Sequence, residues 1–343
     1  MLFNSINSAA KLPRKTAVVG ANTNAPNFTQ VASTVLSTRY IGVAMSDTGQ
    51  YILSVVALTT GQPTSGVFYL STNFGSTFNV ISGFTTGQNY YCSMSGNGQY
   101  MVMIVSMGYM YRSGDYGSNW QQVTNISATQ NWVGVSLSKD GKCCLANGNN
   151  PTNNLYVSSN FDTANPTFTT VSVYASMSSG PGYNAVSKTG QYMIQLSWGP
   201  ADGIAISSNF GVSFSKLTFA NIGITGTLGP NGIYITSDTN DVYFSNYNEG
   251  LYKSTNLFSG SPMFTKITSA TFTEQTWYQV STSSDGTYVV ATTGVKTYYS
   301  KDSGVTWLLA YTGGLRYMAM SSDAHYIVAS NPDTSSRLLF SNT

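Results

Sequence analysis

The chain has 343 residues, a net charge of +2 and only 8% charged residues, against about 25% in an ordinary soluble domain. Such weak charge, with no run of Lys or Arg, removes the electrostatic basis for nucleic-acid binding, and no stretch approaches the roughly 18 apolar residues of a membrane helix. Cys92, Cys143 and Cys144 form no disulfide framework, and with His325 as the sole histidine no Cys/His metal pattern arises, so neither metal nor cofactor is expected.

Met1-Leu2-Phe3-Asn4 opens the chain without a basic segment before a long apolar run. Cytosolic synthesis without a classical signal peptide is therefore the expectation. The hydroxyl-rich, weakly charged composition is common in secreted, cell-surface and virion proteins. Residues 1–26, rich in Asn, Ala and Ser, match no later segment and are expected to form an arm, with assembly through it as a possible role.

From there the chain repeats. A small-polar-Gly phrase recurs as Ser46-Asp47-Thr48-Gly49, Ser95-Gly96-Asn97-Gly98, Ser138-Lys139-Asp140-Gly141, Ser187-Lys188-Thr189-Gly190, Gly229-Pro230-Asn231-Gly232, Ser284-Asp285-Gly286 and Ser322-Asp323-Ala324. These read as hairpin turns between alternating strands. The interval from Gly49 to Ala324 averages about 46 residues per module, the size of a four-stranded propeller blade. In the first module the strands are expected at 40–46, 50–58, 67–71 and 78–81, with no amphipathic helix anywhere.

A second phrase precedes each expected outer strand. It is complete in Ser113-Gly114-Asp115-Tyr116-Gly117-Ser118-Asn119-Trp120 and in Ser300-Lys301-Asp302-Ser303-Gly304-Val305-Thr306-Trp307. Softer copies hold Ser71, Asn73, Gly75 and Phe78, and Ser207, Asn209, Gly211 and Phe214; longer ones run 158–168 and 254–264. Asp or Asn accepts backbone N–H groups in a tight turn, Gly supplies a positive φ, and the aromatic ring anchors the next strand. This pattern resembles the Asp-box, or BNR repeat, of sialidase-like β-propellers. The resemblance implies an all-β, seven-bladed propeller of four-stranded antiparallel blades over 27–343, with these turns on the face away from any active site.

Seven hairpin phrases face six Asp-box copies, because the seventh module ends at Leu338-Leu339-Phe340-Ser341-Asn342-Thr343. Phe28-Thr29-Gln30-Val31 matches the outer strands Phe264-Thr265-Lys266-Ile267 and Phe168-Thr169-Thr170-Val171. It is expected to close the last blade from the N-terminal side, which removes an open sheet edge.

Aromatic residues recur where inner strands begin: Tyr40, Tyr90, Trp132, Tyr183, Trp277 and Tyr317, with Arg39 and Arg316 beside two of them. Trp198, Asp202 and Glu274 fall in loops expected on the same face. A Tyr/Trp ring at a channel mouth suits sugar stacking or a protein hot spot, so a protein or glycan partner is expected. The alternative is a glycosidase using a loop carboxylate pair such as Asp202 and Glu274. Resemblance to sialidases implies an arginine triad, a Tyr–Glu pair and an acid/base Asp. This chain departs from it, with two glutamates, no Arg-Ile-Pro motif, and Arg112 beside an Asp-box. A non-catalytic binding or structural propeller is the primary expectation.

Overall fold

Strands form where β-branched and aromatic residues alternate, and each ends at a turn phrase. The structure, a computed structural model, describes residues 26–31, 39–57, 68–84, 90–126, 130–148, 154–172, 181–197, 199, 203–224, 229–247, 249–274, 276–331 and 337–342. The first strand, β1 (Thr29–Gln30), belongs to the last blade. Blade 1 is β2 (Arg39–Met45), β3 (Ile52–Ala57), β4 (Phe68–Ser71) and β5 (Asn79–Ile81). Blade 2 is β6 (Tyr90–Met94), β7 (Met101–Val105), β8 (Met110–Ser113) and β9 (Gln121–Gln122). Blade 3 is β10 (Trp132–Leu137), β11 (Cys144–Gly148), β12 (Asn154–Ser158) and β13 (Thr169–Val171). Blade 4 is β14 (Pro181–Val186), β15 (Met193–Ser197), β16 (Ile204–Ser207) and β17 (Ser215–Leu217). Blade 5 is β18 (Pro230–Ile235), β19 (Val242–Asn246), β20 (Gly250–Ser254) and β21 (Thr265–Ile267). Blade 6 is β22 (Gln279–Thr282), β23 (Val289–Thr292), β24 (Lys296–Ser300) and β25 (Leu308–Thr312). Blade 7 is β26 (Tyr317–Met320), β27 (Tyr326–Asn331), β28 (Arg337–Asn342) and, closing it, β1.

The architecture is therefore an all-β, seven-bladed propeller of four-stranded antiparallel blades, with a short 3-10 turn at Ala220–Ile222 among the described residues. Thr29 pairs with Phe340 and Gln30 with Leu339, and Val31 N donates to Leu338 O at 3.0 Å. The expected closure from the N-terminal side is what the register shows.

The core lies in the seams between blades. Strand alternation sends successive side chains to opposite seams. Along β7, Met101, Met103 and Val105 pack against blade 1, while Val102 and Ile104 pack against blade 3. Both faces of β7 are buried, so it is apolar throughout, unlike a strand of a half-solvated sheet.

The hairpin phrases lock the seams on one face. The Ser46 hydroxyl accepts from Tyr51 N at 3.0 Å, Ser95 from Tyr100 N at 3.0 Å and Ser321 from Tyr326 N at 2.9 Å. Gly49 and Gly98, both at φ 77°, lie under the rings of Tyr326 and Tyr51 from the preceding blades. Tyr51 also stacks on Tyr116 and Tyr326 contacts Phe74, each an aromatic of the next blade's Ser-x-Asp/Asn turn. One expected turn is misplaced: Pro230-Asn231-Gly232 begins the inner strand β18, and the hairpin turn follows at 236–241. There the left-handed residue is Asn240, at φ 57°, one position later than the Gly of the other turns. Asn tolerates that region, so the turn carries no glycine signal.

An alanine Cβ at Gly98 would sit 2.6 Å from the Tyr51 ring, on a backbone that disfavours any side chain. Gly98→Ala is expected to cost about 2–3 kcal/mol. Gly83→Ala, where φ is 101° but nothing lies within 4 Å, should cost only the backbone part, about 1 kcal/mol. Urea midpoints of the two variants check this; equal losses would show that the Tyr51 ring is not a constraint.

Candidate functional site

Inner strands from all seven blades surround a central channel of about 450 Å³. Its two ends differ because the strands enter and leave with different residues.

At the hairpin end, backbone bonds pass from blade to blade around the axis. Ser322 N donates to Asp47 O at 2.8 Å, Asp47 N to Gly96 O at 2.7 Å, and Gly96 N to Lys139 O at 2.8 Å. Asp140 N reaches Lys188 O at 3.2 Å, Asp238 N reaches Ser284 O at 2.8 Å, and Ser284 N reaches Ser322 O at 2.9 Å. The Lys188–Asp238 ion pair, 2.8 Å, spans the remaining seam. Above this ring the Lys139 ammonium crosses from blade 3 to Asp47 of blade 1, at 2.7 Å. It passes over blade 2 at Gly96, where a Cβ would lie 2.2 Å from the Asp47 carboxylate. Burial works to lower the Lys139 pKa, but Tyr234 and Asp47 outweigh it and raise it, so the ammonium stays charged.

The opposite end is aromatic. Tyr91 of blade 2, Tyr183 of blade 4 and Tyr317 of blade 7 line it. These blades are not neighbours, so their side chains meet only across the axis. Tyr91 and Tyr183 rings are 6.5 Å apart, edge to face, and the Tyr183 phenol hydrogen-bonds Tyr317. Burial, then Tyr317 and Tyr91, push the Tyr183 pKa well above its ordinary value, so this phenol remains protonated near neutrality. Beside them the Arg316 guanidinium stacks on the Tyr278 ring at 4.7 Å. Among the described residues, the charged side chains lining the channel are Lys139 and Arg316, and none is acidic.

The residues singled out from sequence divide as follows. Tyr183, Arg316 and Tyr317 line the aromatic end together. Trp132 is buried in the seam between blades 2 and 3, where its Nε1 donates to Gly108 O at 3.2 Å and its ring meets Tyr156. Trp277 is buried in the seam between blades 5 and 6 against Phe272 and Tyr298. Side chains of Arg39, Tyr40 and Tyr90, and residues Trp198 and Asp202, lie outside the described residues. Tyr91 and Tyr278 are the lining residues that sequence reading passed over. Each is the second member of an aromatic pair, Tyr90-Tyr91 and Trp277-Tyr278, and the first was chosen. Only the phase of the alternation distinguishes them.

Glu274 sits on the same face but is committed locally. Its carboxylate takes Lys296 Nζ at 2.7 Å and the Tyr298 hydroxyl at 2.5 Å. Burial works to raise its pKa; hydrogen bonds from Lys296, Tyr298 and Thr273 outweigh that and hold it at about 2, against an ordinary 4.5. A carboxyl so depressed is an anion throughout the neutral range, unlike the proton donor of a glycosidase. Because the folded value is depressed, its stabilisation is complete above pH 4.5 and disappears as pH falls towards 2. Glu274→Gln is expected to lower Tm at pH 7 by about 2–4 °C, the gap narrowing below pH 4.5. A gap that persists unchanged at pH 3 would contradict this.

The turns that carry the Ser-x-Asp/Asn phrase lie at the hairpin end and share one geometry. In blade 2, Ser113 Oγ donates to Asp115 at 2.8 Å while accepting from Gly117 N at 2.9 Å; Asn119 N donates to Asp115 at 2.9 Å, and Trp120 Nε1 to Gly117 O at 3.1 Å. Blade 6 repeats this with Ser300, Asp302, Gly304, Thr306 and Trp307. Asn73 with Ser71, Gly75 and Thr77, and Asn209 with Ser207, Gly211 and Ser213, reproduce it in blades 1 and 4. Phe78 is buried in the seam between blades 7 and 1, and Phe214 packs in the seam between blades 3 and 4. Arg112 leaves blade 2 to donate to Ala164 O at 3.0 Å and Phe161 O at 3.3 Å, clasping blade 3.

Among the described residues no group of His, Cys, Asp and Glu could hold a metal, and no helix is long and apolar enough to cross a membrane. No protein-family model matches the chain, and no curated protein matches it in sequence. Similar solved structures are propellers. The β-propeller domain of Myceliophteria thermophila Cps50 (Swd1) is 12% identical with a TM-score of 0.66, over 93% of this chain and 99% of that one. YCF48 bound to D1 peptide is 9% identical with a TM-score of 0.65, over 93% and 97%. A chain of the Mitotic Checkpoint Complex is 10% identical with a TM-score of 0.64, over 100% and 99%. The GH74 enzyme of Niastella koreensis is 13% identical with a TM-score of 0.51, over 85% of this chain and 62% of that one. At these identities the likeness is one of fold: a seven-bladed β-propeller.

Proposed function

We propose that the protein is a binding propeller that receives a protein partner at the aromatic end of its channel. The observation that carries this reading is the meeting of Tyr91, Tyr183 and Tyr317 on the axis beside Arg316. Tyr and Arg are the residues that dominate protein hot spots, and they are concentrated here at a concave mouth. Near the channel ends Lys139 pairs with Asp47, Lys188 with Asp238 and Lys296 with Glu274. The likeness to YCF48, solved bound to D1 peptide, and to a chain of the Mitotic Checkpoint Complex agrees with this reading. A glycan partner would use the same tyrosine faces. The Asp-box likeness of the turns assigns them to the scaffold, on the opposite face.

A displayed random-peptide library, panned on the protein, tests the proposal. Selected peptides are expected to lose at least about tenfold in affinity with Tyr91→Ala or Tyr317→Ala. They should be unaffected by Phe210→Ser, which changes an exposed ring on the hairpin face. Binding that survives both tyrosine substitutions, or selection of no peptide at all, overturns it. Recognition of a glycan array, lost with the same tyrosines, would assign the mouth to sugar instead.

A further inference from the structure

On the hairpin face, away from the aromatic mouth, one seam of the ring is filled differently from its neighbours. In the Ser-x-Asp/Asn turns the residue before Gly takes a positive φ, and it is Phe74, Tyr116 or Phe210 in blades 1, 2 and 4 but Ser303 in blade 6. The Phe74 ring leans on Tyr326 and the Tyr116 ring stacks on Tyr51, each from the preceding blade. Beneath the turn, the residue before the final Ser of the preceding blade's third strand packs against the turn glycine. A Cβ added at Gly117 would meet Leu70 at 2.5 Å, one at Gly211 would meet Val157 at 2.6 Å, and one at Gly75 would meet Phe340 at 3.3 Å.

Between blades 5 and 6 both fillings change. The turn residue is the small Ser303, and the strand residue is Lys253, whose ammonium is drawn to Asp241 at 3.0 Å and to Ser303 O at 3.4 Å. A groove of about 480 Å³ results, lined by Lys253, Met263, Thr265, Ile267, Gly304 and Val305. Val305 is 73% exposed and Met263 49%, so its apolar walls face solvent. Lys253 is neutralised by Asp241, and Lys266, which also borders the groove, alternates to the other face of blade 5, where its chain lies over Gly250. One wall is β21, the outer strand of its blade, with no strand beyond it among the described residues. Its outward backbone groups can therefore pair with an added extended segment. We infer that this groove is a docking site for an aromatic side chain carried on an extended, uncharged segment of a partner polypeptide. The repeats identify the occupant: the same two elements, a turn and the blade before it, enclose the rings of Phe74 and Tyr116 in neighbouring seams. A charged side chain would shed its hydration beside a lysine already bonded to Asp241 and Ser303, with no new ion pair to offset the loss. Binding of one ring is weak by itself, and within a larger interface it is an anchor.

Three blocked amino acids, N-acetyl-phenylalaninamide, N-acetyl-tyrosinamide and N-acetyl-leucinamide, titrated onto the full chain with saturation-transfer NMR as the readout, test the assignment. The two aromatic probes are expected to bind with Kd of roughly 0.1–1 mM, and the leucine probe at least about fivefold more weakly. Val305→Asp, at the groove rim, and Ser303→Phe, which supplies a ring from the chain itself, should each weaken the aromatic probes at least about tenfold. The backbone accepts Ser303→Phe, because Phe74 and Phe210 hold the same left-handed conformation. Thermal melts of both variants separate a lost groove from a lost fold. Tyr91→Ala, on the opposite face, should leave the effect of Val305→Asp intact. No binding, equal binding of all three probes, or binding unchanged by Val305→Asp and Ser303→Phe in variants that melt as the parent overturns the assignment. Aromatic binding that is lost with Tyr91→Ala and kept with Val305→Asp places the probes at the channel mouth, which also overturns it while leaving the reading of that mouth standing.

Discussion

Deleting residues 1–31 is expected to lower Tm by roughly 5–10 °C and to make the protein aggregate on size-exclusion chromatography as concentration rises. The deletion removes β1, the strand that closes blade 7. Phe28 is buried between blades 6 and 7, its ring edge-on to Tyr311 at 5.8 Å, and losing such a ring costs about 3–5 kcal/mol. The pairs Thr29 with Phe340 and Gln30 with Leu339, and the Val31 bond to Leu338, would each leave backbone groups of β28 open. At about 1 kcal/mol net per bond the total rises further. The larger consequence is kinetic: an open edge beside Leu338-Leu339-Phe340 is a template for strand addition. Phe28→Ala isolates the packing part and should lower Tm without creating the edge. A deletion variant that stays monomeric and melts within a few degrees of the parent would show that the ring does not depend on this strand.

Trp277→Ala is expected to destabilise by about 3–5 kcal/mol, a fall of roughly 5 °C in Tm for a chain of this length. Trp277 is almost fully enclosed, with Phe272 at 4.7 Å and Tyr298 at 5.6 Å between ring centres. Phe272 in turn touches Trp307 at 5.4 Å, so the cavity would open at the centre of an aromatic cluster that cannot collapse easily. Tyr298 holds Glu274, so the pH dependence attributed to that carboxylate should weaken in the same variant. Tyr91→Ala should cost less stability and more binding, because Tyr91 is only partly buried and faces the channel. If Trp277→Ala melts as the parent does, the ring is not a core element. The two tryptophans chosen as candidates, Trp132 and Trp277, would then regain a claim on the mouth.

The architecture was legible because its signals are local. Ser113-x-Asp115-x-Gly117 and its counterparts are complete hydrogen-bonded turns within a few residues, and the seven hairpin phrases between them count the blades. The closing strand was legible for the same reason: Phe28-Thr29-Gln30-Val31 has the pattern of the other outer strands. The fifth hairpin was not, because its left-handed residue is Asn240, one position later than the Gly of the other turns, and a Gly-Pro-Asn-Gly phrase sits at the wrong end of the strand. The channel lining was legible only to within one residue: Tyr183 and Tyr317 line it, and so do Tyr91 and Tyr278, which stand next to Tyr90 and Trp277.

By itself, then, the sequence determined the turns, the strand period and the number of repeats, because each depends on neighbours along the chain. Tertiary structure decided which aromatic faces the axis. Bulges between Tyr40 and Gly42, Trp132 and Gly134, Pro181 and Asn184, and Pro230 and Gly232 reset the alternation in blades 1, 3, 4 and 5, whereas the inner strands of blades 2, 6 and 7 pair without one. A one-residue shift moves every side chain to the other face, and nothing local reports it. The contacts across the channel, Lys139 to Asp47 and Tyr183 to Tyr91 and Tyr317, likewise join blades that are not neighbours. They exist only once the circle is closed, which is why the chemistry at both ends of the channel belongs to the fold and not to any single repeat.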